Sequence, residues 1–260
     1  MREWNAEMYH RVSTPQFTWG LKVMDRLPLE GGETVLDVGC GSGRLTEFLV
    51  DRVPRGRVIA LDASENMVRR AREYLLPRHG SRVLVVRADA AALPIAGAAD
   101  AIFSTATFHW VLDHGRLFRS LFTALKPGGR LVAQCGGGPN IQRMKDRAEA
   151  VMREPEFAPY FAGWTGPWLY ADAESTARRL AAAGFVDVDT FVHPEPTVFP
   201  DETSFREFIT NVICHPYLAV LPSVDLRTRF IDRLTREAAK GDPPFELDYW
   251  RLNLQARKPG

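Results

Sequence analysis

Cysteine is scarce in this chain, with Cys40, Cys135 and Cys214 the only three among 260 residues. So few, spaced so widely, exclude a disulfide framework and a cysteine-built zinc centre. The six histidines are scattered too, so no metal site is expected. An excess of one charge is also missing. Lysine and arginine number 33 against 32 acids, a net +1, which gives no electrostatic reason to expect nucleic acid or an anionic membrane as partner. No apolar run approaches the roughly 20 residues of a membrane span. The opening MREWNAEMYH lacks the apolar stretch of a secretory signal, so a cytoplasmic location is expected. Repeats and low-complexity segments are absent as well. What remains is an ordinary globular composition, 45% hydrophobic and 25% charged. It suffices for one domain, or one domain with a sizeable insertion.

Five short apolar runs punctuate the first half: TVLDV (34–38), RVIALD (57–62), RVLVVRAD (82–89), AIFST (101–105) and RLVAQC (130–135). Helical spacing fills most gaps between them. Leu45, Phe48, Leu49 and Val53 mark one helix face, and Met67, Ala71, Tyr74 and Leu75 a second, with Ser64 placed as its N-cap. Leu117, Leu121 and Leu125 mark a third, ended by Lys126-Pro127-Gly128-Gly129. Ahead of the first strand, Phe17, Leu21, Met24 and Leu27 predict a helix over 16–27. Val/Ile/Leu-rich strands alternating with helices imply an α/β fold, a parallel sheet covered on both faces.

The second half differs. A helix over 173–183 leads to a strand with Val186, Val188 and Thr190 on one face, and residues 250–257 alternate apolar with polar. That alternation suits an antiparallel or edge strand rather than a central parallel one. Helices are predicted over 202–213 and 225–240. The expected organisation is a helical cover at 1–32, a cofactor-binding core at 33–138, and remaining strands at 139–260 carrying a helical cap insertion at about 194–248.

The strongest chemical signal is Val35-Leu36-Asp37-Val38-Gly39-Cys40-Gly41-Ser42-Gly43. A buried strand runs into a glycine-rich turn and a helix follows at once, so backbone N–H groups at the helix start can meet a ligand. A plain strand-to-helix turn is the alternative, and three alternating glycines after an acidic strand end weigh against it. Counted from Gly39, the third glycine of the dinucleotide fingerprint would fall at Arg44, whose side chain would obstruct a pyrophosphate. An NAD-dependent oxidoreductase is therefore disfavoured, and no Gly-Lys-Ser/Thr follows to make a P-loop. Asp62 ends the second run and suits two ribose hydroxyls; a charge at a helix start is its alternative. Asp89 ends the third run before Ala90, where acid and backbone N–H could read an adenine edge.

With VLDVGCGSG, LDAS and Met67, RADA, and LKPGGRLV in this order, the chain resembles class I S-adenosylmethionine-dependent methyltransferases. The resemblance implies a doubly wound, mostly parallel seven-stranded sheet ending on an antiparallel strand at 250–257. It also implies roles: Gly39 and Gly41 beside the methionine portion, Asp37 supporting its ammonium, and Asp62 with Ala63 at the ribose. Met67, Asp89 and Ala90 would meet the adenine, and Thr105, at the fourth strand's end, would also bind the cofactor. More finely, Trp4 to Tyr9, Ser13 and Gln16 together with Phe108-His109-Trp110 resemble the trans-aconitate and juvenile-hormone-acid methyltransferases. By that likeness Gln16 and Trp110 hold a small-molecule acceptor, a small carboxylic acid, while Tyr9 closes over the cofactor. Arg143, Arg153, Trp164, Trp168 and Tyr170 fall outside this resemblance.

Methyl transfer is an in-line displacement, so alignment and water exclusion are the protein's main tasks. A carboxylate needs no base at neutral pH, whereas a phenol or carbon acid does. His109 is the one candidate base, with a structural or hydrogen-bonding role as its alternative. A quinone-type or phenolic acceptor and a non-catalytic cofactor-binding protein are the competing readings.

Overall fold

A computed structural model describes residues 14–260. The chain forms two compact units. One comprises residues up to 138, 169–192 and 251–260, and the other comprises 139–168 and 193–250.

The first unit is built on a seven-stranded sheet. In chain order the elements up to residue 136 are α1 (Thr14–Met24), β1 (Thr34–Val38), α2 (Arg44–Arg52), β2 (Arg57–Asp62), α3 (Glu65–His79), β3 (Val83–Arg87), β4 (Ala99–Thr105), α4 (His114–Ala124) and β5 (Leu125–Gly136). Later segments add α6 (Ala173–Ala182), β6 (Val186–Pro194) and β9 (Trp250–Arg257). The strand order is β3-β2-β1-β4-β5-β9-β6. Strands β1 to β5 pair in parallel, and β9 runs antiparallel to β5.

Period-two alternation sorts the strand residues onto two faces. Val35, Ala101 and Phe103 join α1, α2 and α3 through Val23, Met24, Leu49, Val50 and Leu75. Leu36, Ile102 and Leu131 join α4 and α6 through Leu117, Phe118, Leu121 and Leu180. All five residues of β1 are buried, as a central strand with two covered faces requires.

Several boundaries depart from the periodic reading. Helix α1 stops at Met24, because Arg26 and Leu27 turn back onto the carbonyls of Val23 and Met24 in tighter bonds. Strand β3 ends at Arg87, two residues before Asp89, whose carboxylate instead accepts the Ala91 N–H and caps a short 3₁₀ turn. Lys126 to Gly129 does not separate α4 from β5 but forms an irregularity within β5, with Gly128 at φ 76°. The polar face of β9 is covered, not solvated: Arg251 and Asn253 are buried, Arg251 lies over the Trp19 ring of α1, and Arg26 reaches the Asn253 side chain.

The second unit holds α5 (Gln142–Met152), α7 (Glu202–Phe208), α8 (His215–Leu218), α9 (Val224–Ala239) and the two-stranded pair β7 (Thr197–Val198) and β8 (Glu246–Leu247). The helix predicted over 202–213 changes to a π-turn at Ile209–Ile213, closed by Cys214 N–H on the Ile209 carbonyl. Its core is aromatic, with Phe157, Phe161, Phe205, Phe208, Tyr217 and Phe230 all buried.

Candidate functional site

Chain order reverses between β1 and β4. The chain builds outward from β1 through β2 to β3, then returns to place β4 on the opposite side of β1. Ligands of open α/β sheets bind outside the carboxyl ends of the strands at such a switch point. Val38, Asp62 and Thr105 end the three strands concerned.

The glycine turn after β1 has a distinct reason at each position. Gly39 has φ 78°, and a Cβ there would lie 2.0 Å from the Thr107 hydroxyl. Gly43 has φ 90° and a Cβ would meet Leu75 of α3 at 2.8 Å. Gly41, at φ 55°, faces open space, with nothing within 4 Å of the same point. Packing therefore demands two of the glycines and leaves the third beside room for a ligand. Arg44 opens α2 with its guanidinium 4.4 Å from the Phe17 ring.

Two carboxylates flank this turn. Asp62 accepts the N–H groups of Gly41 and Ser64, both at 2.9 Å, and so ties the glycine turn to the start of α3. Ser64 caps α3 by accepting from Met67 N–H, as its position in the sequence implies, and Met67 is buried one turn in. Asp37 is only 2% exposed and accepts the Thr46 hydroxyl at 2.6 Å. Burial pushes its carboxyl up to about 7, the Thr46 hydrogen bond opposes this, and the nearby Asp62 charge adds to it. Among the described residues no cation pairs with Asp37. A buried acid with one hydroxyl donor, beside an open Gly41, suits a ligand that brings its own positive charge.

Past β4, Thr107 donates to the Thr105 carbonyl and His109 lies in a 3₁₀ turn. His109 is 7% exposed, and its Nδ1 accepts the Gly136 N–H at 3.3 Å. Its ring packs between Trp110 and Tyr170, with centroids 4.9 and 5.6 Å away. Burial first, then the charges of Arg251 and His114, hold its pKa well below the ordinary imidazole range. Gln16 lies in the first turn of α1. Ala63 follows Asp62, and Asp89 and Ala90 stand at the exposed turn after β3. Tyr9, like Trp4 and Ser13, lies outside the described residues.

Thr46, Thr107 and Gly136 escape the sequence reading, although each fixes a site residue. Thr46 leaves a trace, a polar residue three before Leu49 on the apolar face of α2. Thr107 and Gly136 leave none.

Residues 35–129 match the methyltransferase domain family. A trans-aconitate 2-methyltransferase from an Azoarcus species is 29% identical over 85% of this chain and 84% of its own length. The protein of that name from Variovorax paradoxus is 29% identical over 94% of this chain and 92% of its own. Phosphoethanolamine N-methyltransferase 2 of Haemonchus contortus, solved with phosphomonomethylethanolamine and S-adenosylhomocysteine, shares the fold at a TM-score of 0.64 and 19% identity. That likeness covers 98% of this chain, which spans 57% of the Haemonchus chain. No described helix is long and apolar enough to cross a membrane. A glycine turn at the switch point, the methyltransferase-domain match and the relatives converge: the chain is an S-adenosylmethionine-dependent methyltransferase.

Proposed function

We propose that the acceptor is a small carboxylic acid and the product its methyl ester. The observation that carries this reading is the state of His109. Its Nδ1 lone pair is taken by the Gly136 N–H, and burial keeps the ring neutral, so the ring proton sits on Nε2. A ring in that state donates a hydrogen bond and has no lone pair left to remove a proton. A carboxylate acceptor, with a pKa of about 4, needs none removed. The trans-aconitate 2-methyltransferases, similar over most of the chain, support the same acceptor class.

Bound S-adenosylmethionine supplies a methyl carbon activated by a positively charged sulfur. The chain's residues hold it and exclude alternatives. Asp37 takes the cofactor's ammonium, Gly41 lets the backbone approach the methionine portion, and Asp62 with Ala63 takes the ribose. Met67, Asp89 and Ala90 bound the adenine, and Thr105 lines the strand end beside the cofactor. Gln16, Trp110 and the His109 Nε2–H orient the acid's oxygen for in-line attack. Alignment of this kind lowers a barrier by up to about 7–11 kcal/mol.

Incubation with methyl-labelled cofactor and a panel of small acids, phenols and quinones tests the reading. Label transferred to acids and released by mild alkali is expected. His109→Gln should keep most turnover, falling less than about tenfold, because the amide retains a donor and an acceptor and no base is lost. Alkali-stable label on phenols or ring carbons, or a loss of about 10²–10⁴-fold in the glutamine variant with cofactor affinity unchanged, would overturn it.

A further inference from the structure

Thr107 touches both halves of the proposed site. The chain leaves β4 after Thr105 through Ala106, a left-handed residue at φ 54° that is not a glycine. A side chain disfavours that conformation, so tertiary contacts must hold it. The Ala106 N–H donates to the Gln134 carbonyl of β5 at 2.8 Å. This sharp exit lays Thr107 against the end of β1. Its hydroxyl donates to the Thr105 carbonyl at 2.9 Å and stands 3.4 Å from the Gly39 carbonyl. The whole side chain faces Gly39, where a Cβ would meet its Oγ1, Cγ2 and Cβ at 2.0, 2.4 and 2.6 Å.

Thr107 also begins the turn that carries His109. Its carbonyl accepts the Trp110 N–H at 2.9 Å, and the Phe108 carbonyl accepts the Val111 N–H at 3.0 Å. Gly39 cannot move toward Thr107 without pushing it, because close-packed contacts transmit displacement rather than absorb it. A second hydroxyl joins β4 to β1, from Ser104 to the Val38 carbonyl at 2.7 Å, but that bond stays within the buried sheet.

We propose that Thr107 is a positioning residue that couples the two halves: cofactor bound at the glycine turn holds Thr107, and Thr107 orders the His109–Trp110 turn for the acceptor. This rests on the placement of cofactor and acceptor given above. The test uses no acceptor and reads the cofactor's place separately.

Amide hydrogen exchange on the whole protein, with and without saturating S-adenosylhomocysteine, provides that test. In the parent, exchange should slow at Gly41, Trp110 and Val111 by about tenfold or more beyond any change in α9 of the other unit. In Thr107→Ala, slowing should persist at Gly41 but drop below about twofold at Trp110 and Val111. Thr107→Ser keeps the hydroxyl and should keep the slowing at all three. Ser104→Ala should lower stability and leave the slowing intact, which separates coupling from a merely structural bridge. Slowing at Gly41 without slowing at Trp110 in the parent, or slowing undiminished in Thr107→Ala, would overturn the coupling and leave the cofactor's place standing. No slowing at Gly41 would overturn both.

Discussion

Gly39 and Gly41 share a motif and a left-handed backbone, yet they should fail differently when substituted. Gly39→Ala drives a methyl group into Thr107 and should lower stability by more than the roughly 1–2 kcal/mol of a left-handed alanine alone. Gly41→Ala carries only that backbone cost, but its methyl enters open space beside the glycine turn. Denaturation midpoints should therefore fall mainly for the first, and cofactor affinity mainly for the second. Equal effects on both quantities would show that the two glycines do one job. Asp37 supplies a pH test. Its carboxyl is raised to about 7, so near neutrality part of the unliganded protein carries a proton there. A cofactor ammonium favours the ionised form, so binding at pH 6.5 should release a fraction of a proton. Affinity should weaken as pH falls below 7, by up to about tenfold per unit. Calorimetry in buffers of different ionisation enthalpy measures the release, and Asp37→Asn should abolish it. The sequence makes Asp37 and Asp62 visible as strand-end acids. It does not reveal that Thr46 is the hydroxyl under one, or that the other already holds two backbone N–H groups, because such contacts join residues that no local period relates.

At the scale of elements, the parallel strands are legible because each is a compact Val/Ile/Leu run between turn residues, and a strand buried on both faces has no other composition available. Legibility ends where tertiary contacts override local pattern. The alternation of β9 reads as one dry face and one wet, but α1 lies over the polar face and converts it into a buried ladder. There Gln134 donates to the Asn253 amide oxygen at 3.1 Å, and Asn253 donates to the Arg251 carbonyl at 3.2 Å. Asp89 misleads for the opposite reason: an acid after an apolar run reads as a strand end, whereas its side chain starts a turn. Neither the π-turn at 209–213 nor the two-residue strands β7 and β8 carry a period long enough to detect. The ladder predicts that Asn253→Leu strips the acceptor from the buried Gln134 amide N–H and from one N–H of the half-buried Arg26, while the Gln134 oxygen keeps its bond from Arg251. A loss of about 1–3 kcal/mol in chemical denaturation is expected, far more than apolar burial of leucine returns. A variant as stable as the parent would mean that these polar groups are reached by water.

For the molecule as a whole, cofactor binding is also a stability measurement. S-adenosylmethionine or S-adenosylhomocysteine at about 100 times its dissociation constant should stabilise the protein by about 2.7 kcal/mol, seen as a raised Tm. NAD should raise it little, since Arg44 stands where the dinucleotide fingerprint needs glycine; an equal shift with NAD would contradict the reading of the turn. The position of β9 has a consequence for synthesis. It is the last strand in the sequence, yet it lies between β5 and β6, made long before. While the chain is still on the ribosome, β5 presents an open edge and β6 has no place in the sheet. A hydrogen-bonding edge left open for that interval invites pairing with other nascent chains. A message broken off before the codon for Trp250 would thus yield a sticky fragment for the cell's quality control, whatever the state of its glycine turn.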